Sequence, residues 1–190
     1  MKMIEQIIVV LGISLEVFGA MECQGSLVAK IEKKQLLIFC SILAAGQTVA
    51  LGVGHFLSQF LSRYRAQATD NFLGQVIAAA ILLFLGVRLF HKAWRNEGLL
   101  ERRKEKFEVK KFLGIYLSDI LFTFLAGFAL GFLDGNILPL LAASFVLTIV
   151  VTIVGMYTGY RLGFEYKMRA YVFGGLLLVA GGAGVVLGYM

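Results

Sequence analysis

The 190-residue chain is 59% hydrophobic and 16% charged, with a mean hydropathy of +0.83. Soluble domains run nearer about 45–50% apolar and about 25% charged, so the composition excludes an ordinary soluble fold and points to an integral membrane protein. The net charge of +6 then belongs to basic loops beside a bilayer and not to a nucleic-acid surface.

The first helix is predicted over Ile4–Leu27. It carries Glu16 in its middle and lacks the strongly basic start of a cleavable signal peptide. A basic turn with Lys30, Lys33 and Lys34 follows, then a second helix over Gln35–Leu61 and a short loop, Ser62–Asp70. The third helix covers Asn71–Trp94, and the long polar segment Arg95–Lys111 comes next. The fourth covers Phe112–Leu133 and ends at the breaker Asp134-Gly135-Asn136. The fifth runs over Ile137–Leu162, with the single proline, Pro139, in its first turn, where proline is tolerated. The sixth covers Ala170–Tyr189. Cys23 and Cys40 lie within helices or at their ends and suggest no disulfide framework.

Lysine and arginine set the orientation. The loops after the first, third and fifth helices hold Lys30, Lys33 and Lys34; Lys92, Arg95, Arg102, Arg103, Lys104, Lys106, Lys110 and Lys111; and Arg161, Lys167 and Arg169. The opposite face holds Lys2, Arg63 and Arg65. The positive-inside rule places the three basic loops in the cytoplasm and both termini outside the cell membrane. Arg88, inside the third helix, is expected to snorkel to the inner interface as an anchor. The segment 95–111 reads as a solvated, topology-setting linker in preference to a lipid- or partner-binding patch.

The chain divides into a first three-helix repeat (1–94), the basic linker (95–111) and a second three-helix repeat (112–190). Ser14-Leu15-Glu16 in the first helix is echoed by Ser118-Asp119 in the fourth. A three-helix unit repeated in one chain must insert its second copy inverted, and inverted repeats place a transporter's site at their interface. The expected fold is an all-α integral membrane protein of six transmembrane helices in two inverted repeats. Glycines spaced by four (Gly127, Gly131, Gly135; Gly155, Gly159, Gly163) and the pair Gly184 and Gly188 mark close helix packing. They serve either a sliding surface or static packing, within the chain or in a homodimer.

A carboxylate deep in a membrane is costly and is a functional candidate by default. At about 1.5 Å per residue, Glu16 and Asp119 both lie roughly 10 Å from the inner boundary. Gln47 lies near the middle of the second helix and Thr148 near the middle of the fifth. With Ser14 and Ser118 they form a set of oxygen ligands suited to a hard or borderline divalent cation. Their other reading is protonated acids and amides that bond helices together. Glu22 either lines the inner mouth or sits among headgroups, and Met21 and Cys23 read as ordinary packing. His55 and His91 fall outside the central layer, and the third and sixth helices look like supports. No nucleophile–base pair, nucleotide motif or cofactor motif indicates an enzyme.

At these residues the chain resembles the MntP-type manganese efflux pump family of the lysine-exporter-like grouping. Ser14-Leu15-Glu16-Val17-Phe18-Gly19 stands where the family has S-[LM]-D-A-F-A. Gln47 and Gly54, Leu85-Gly86-Val87-Arg88, Asp119, the run Gly155–Gly163 and Gly174-Gly175 fit its other patterns. The first acid is Glu where the family usually has Asp. Ser118 directly precedes its acid, and bulky Leu121 and Phe122 follow it. The resemblance implies six helices and export of manganese, with Glu16 and Asp119 as ligands. Exchange of metal for protons at two acids of one depth would couple export to proton flow. The alternatives are a non-transporting assembly or sporulation-type membrane protein, and an exporter of a small organic cation or amino acid. The last is disfavoured by the lack of a central Arg or Lys to receive a carboxylate.

Overall fold

The computed structural model describes residues 3–28, 33–64, 71–94, 109–133, 137–163 and 165–187. Among these residues the chain forms six α-helices: α1 (Met3–Leu27), α2 (Lys33–Tyr64), α3 (Asn71–Trp94), α4 (Val109–Gly131), α5 (Ile137–Leu162) and α6 (Lys167–Leu187). In hydrocarbon every backbone N–H and C=O must be paired within its own segment, and an isolated apolar run can do that only as a helix. Five of the six are long and apolar enough to cross a membrane, while α4 has a shorter apolar stretch, Tyr116–Gly131. The 23 residues of α4 still reach about 34 Å at about 1.5 Å each, against a hydrocarbon layer of about 30 Å. The chain is an all-α, multi-pass membrane protein.

Helices α3 and α5 have the boundaries expected from hydropathy. The others begin one to three residues earlier than hydropathy predicts, and α2 also runs three residues further, to Tyr64. Lysine and arginine are good helix formers, so α2 takes in Lys33 and Lys34, α4 Lys110 and Lys111, and α6 Lys167 and Arg169. Apolarity marks where a helix meets lipid and not where its hydrogen bonds stop. Most of the basic linker (95–108) and the turn 134–136 lie outside the described residues.

Helix α1 is the inner element. Among its described side chains the large exposed apolar ones are Ile7 and Leu11, whereas α2 turns Leu37, Ile38, Val49, Val53, Phe56 and Phe60 outward. It packs on α5 and α6 and also meets α4; α4 packs on α2 and α3; α3 packs on α6, and α2 on α5. This pattern is unchanged when α1 is exchanged with α4, α2 with α5 and α3 with α6. A carboxylate on α1 is therefore surrounded by protein and kept from lipid.

The two tightest crossings use the glycine stripes. A Cβ on Gly159 would fall on the Glu22 carbonyl of α1, and one on Gly127 on the Leu51 carbonyl of α2. Gly155 and Gly131 repeat each contact one turn away, against Phe18 and His55. These four glycines pack against neighbouring helices of the same chain. Gly163 has a different task. At φ 79° it caps α5, its N–H donating to the Gly159 carbonyl at 3.0 Å, the left-handed cap that glycine adopts without strain.

Candidate functional site: a charge-balanced cluster inside the bundle

Glu16 sits in the middle of α1 and is 4% exposed. Its partner is Arg88 of α3, whose Nη1 lies 2.5 Å from Oε1. Lys92 follows Arg88 by one helical turn and shares its face. Its Nζ lies 3.2 Å from the same Glu16 oxygen and 3.4 Å from Oδ1 of Asp119 on α4. Asp119 is 5% exposed. The two predicted acids thus come to one place, joined through an ammonium group.

The two cations are held differently. Arg88 donates from Nη2 to Ser118 Oγ at 3.2 Å and lies 3.1 Å from the centroid of the Phe122 ring. Phe122 is one turn beyond Ser118, so α4 offers a hydroxyl and an aromatic face to one guanidinium. Arginine's planar group suits such a slot. Among the described residues Lys92 meets the two acids and a more distant ring, that of buried Tyr171 on α6, 5.0 Å from Nζ. Its side chain is 29% exposed, against 19% for Arg88 and 5–6% for the acids.

Two expectations are corrected here. Arg88 does not snorkel away as an anchor but turns inward, and with Lys92, counted above as part of a loop, it forms the basic half of the cluster. Helices α3 and α6 are more than supports, since α3 supplies both cations and α6 supplies Tyr171. A signal for this was present. Arg88 lies six residues before Trp94, where α3 ends, and Glu16 lies six before Glu22, in the C-terminal part of α1. Depth counting applied to bases as well as acids puts Arg88 level with Glu16.

The other predicted ligands are dispersed. Ser14 donates to the Val10 carbonyl of its own helix at 2.8 Å. Gln47 on α2 and Thr148 on α5 pair with each other, Thr148 Oγ1 donating to Gln47 Oε1 at 3.5 Å. Among the described residues the buried Gln47 Nε2 has no hydrogen-bond partner. Thr123 Oγ1 donates to the Asp119 carbonyl at 2.9 Å, one turn along α4. Glu22 is wholly buried. Its Oε1 accepts the Tyr166 N–H at 2.9 Å, and its Oε2 has no partner among the described residues. Met21 packs with Val17, Ala20 and Leu43, and neither cysteine is in a disulfide.

Chemically the cluster is two carboxylates neutralised by two bases. Among the described residues no three His, Cys, Asp or Glu side chains converge as a closed metal site. Glu16 and Asp119 are the groups able to hold a cation here, with the Ser118 hydroxyl beside them. A buried ion cluster is poor evidence of stability, because desolvation offsets much of the attraction. Polar groups at this depth mark substrate and ion pathways.

A multi-pass helical bundle with ionised groups converging inside it has the construction of a membrane transport protein. The comparisons agree. The chain belongs to the family described as "Putative manganese efflux pump", whose model matches residues 30–186, a span that includes Gln47, Arg88, Lys92, Asp119 and Thr148. A Sodalis glossinidius protein is 25% identical over 198 residues, covering 100% of this chain and 95% of its own length. One from Alcanivorax borkumensis is 24% identical over 191 residues and covers both chains completely. One from Acetivibrio thermocellus is 20% identical over 190 residues, covering 100% of this chain and 93% of its own. Each is named "Putative manganese efflux pump MntP". No solved structure matches the chain.

Proposed function

We propose that this chain is a secondary exporter of divalent cations, manganese foremost, in the cell membrane. The observation that carries the reading is that Glu16 and Asp119, from the first and fourth helices, share one cationic group inside the bundle at 3.2 and 3.4 Å. Two carboxylate oxygens that can accept one ammonium between them can also converge on a metal ion. Hard oxygen donors suit Mn²⁺ better than a thiophilic metal. Ser118 lies beside them, and Gln47 with Thr148 supplies a second pair of oxygens between α2 and α5.

In this reading the cation enters from the face carrying most of the lysines and arginines, the cytoplasmic side by the positive-inside rule, with both termini outside. The exchange symmetry of the helix packing supports two inverted repeats, 1–94 and 112–190. Rocking of one against the other opens the acids to the outer side. Carboxylates that surrender the metal to protons there couple export to inward proton flow.

The test is Mn²⁺ flux in liposomes carrying the purified full-length chain. Glu16→Gln and Asp119→Asn each abolish metal-dependent flux while the protein still elutes as the wild type does. Flux that persists in both variants removes the acids from the mechanism.

One observation favours a second reading. The objection to an amino-acid substrate was the lack of a central base, and Arg88 and Lys92 remove it: a bound zwitterion could place its carboxylate on Arg88 and its ammonium between the acids. Efflux of radiolabelled amino acids from the same liposomes, unaffected by Mn²⁺, is the result that would favour it.

A further inference from the structure

The cluster leaves no vacancy for a divalent ion while both bases are in place. With every group ionised, Glu16 and Asp119 would carry two negative charges against two positive ones on Arg88 and Lys92. Adding a metal ion without removing a base would leave an uncompensated double charge inside the bundle, which low-dielectric surroundings strongly oppose. Withdrawal of one base halves that excess and frees the carboxylate oxygens it holds, so binding is favoured when a base withdraws.

The geometry points to which one. Arg88 is fixed by its 2.5 Å contact to Glu16, its bond to Ser118 and its seat on Phe122. The Lys92 ammonium has longer contacts and a more exposed side chain, and it stands on a flexible four-carbon stem two residues from the end of α3. Lysine at such a helix end can carry its charge out to water. We propose that Lys92 is a tethered competitor: its ammonium occupies the place between Glu16 and Asp119 that the transported divalent cation takes, and swings toward the α3 terminus when the cation arrives. Lys92 thereby sets the affinity for the cation and helps to expel it. Arg88 stays as the fixed counter-ion that orients Glu16. This rests on the exporter reading, with the acids as ligands.

Competition makes an unusual demand, namely that removing a binding-site side chain tightens binding. Apparent affinity is scaled by the fraction of protein in the competent state. Lys92→Gln in the full-length purified protein should therefore bind Mn²⁺ about tenfold or more tightly by titration calorimetry, and should export more slowly at saturating Mn²⁺. Lys92→Arg, whose rigid fork can hold both acids, should bind more weakly than wild type. A merely structural lysine would give no tightening. The unaltered chain provides a second measurement: Mn²⁺ should raise the acetylation rate of Lys92 by a water-soluble amine reagent, read by peptide mass spectrometry.

Unchanged or weakened Mn²⁺ binding in Lys92→Gln, with binding still lost in Glu16→Gln, overturns the competitor role and leaves the exporter reading standing. No rise in Lys92 acetylation with Mn²⁺ overturns it too, whether or not the variants fold. Wild-type Mn²⁺ affinity in both Glu16→Gln and Asp119→Asn overturns the site reading, and the competitor with it.

Discussion

Two polar centres lie inside the bundle, and they are built on opposite terms. At the junction of α1, α3 and α4, two acids and two bases meet through contacts of 2.5–3.4 Å. Between α2 and α5, neutral Gln47 and Thr148 share one long hydrogen bond of 3.5 Å and leave an amide nitrogen unpaired. The first centre is interlocked, so deleting any member strands a charge. The second is loose and half satisfied, so it can give up its one bond cheaply to a passing ligand.

The largest effect should come from stranding a charge. Glu16→Ala leaves Arg88 without its carboxylate and should cost about 3–5 kcal/mol, read as lowered resistance to denaturant in detergent. Glu16→Gln combined with Arg88→Gln should recover much of that stability and none of the Mn²⁺ flux. If the double variant is no more stable than the single, the two side chains are not coupled as the 2.5 Å contact implies.

Next in size is overpacking at a helix crossing. Gly159→Leu drives a side chain into the Glu22 carbonyl and should cost about 1–3 kcal/mol. The same change at Gly163, where a Cβ would meet nothing within 4 Å, should be felt only through its positive φ, by about 1–2 kcal/mol. Equal losses in a thermal-shift series would mean that the α1–α5 crossing is looser than described. Smallest should be Thr148→Val, which removes one long neutral hydrogen bond for about 0.5–1.5 kcal/mol. A loss as large as that of Glu16→Ala would erase the contrast between the two centres.

The legible part of the site was its acids. Glu16 and Asp119 stand out because a carboxylate in an apolar run has few ordinary explanations, and counting residues from the helix ends placed them at one depth. Their partners were less legible because Arg88 and Lys92 lie near a helix end, where a base has an ordinary explanation as an anchor. Ser14 shows the converse. A serine beside an acid reads as a ligand, yet a mid-helix hydroxyl can always turn back to the carbonyl four residues earlier, as Ser14 does to Val10.

By itself the order of residues determined how many helices form and nearly where each begins, because burying a backbone in hydrocarbon permits one hydrogen-bonding solution and demands about 20 apolar residues for it. It also set Glu16 and Asp119 at matching heights along their helices, since rise per residue is constant. What only the tertiary structure decided was azimuth, the direction in which each helix turns its polar face. That is set by contacts between helices far apart in the chain, such as Gly159 against Glu22 and Gly127 against Leu51. Those contacts bring Arg88 and Lys92 onto the acids, a meeting of side chains 72 to 76 and 27 residues apart in the chain that no local pattern encodes.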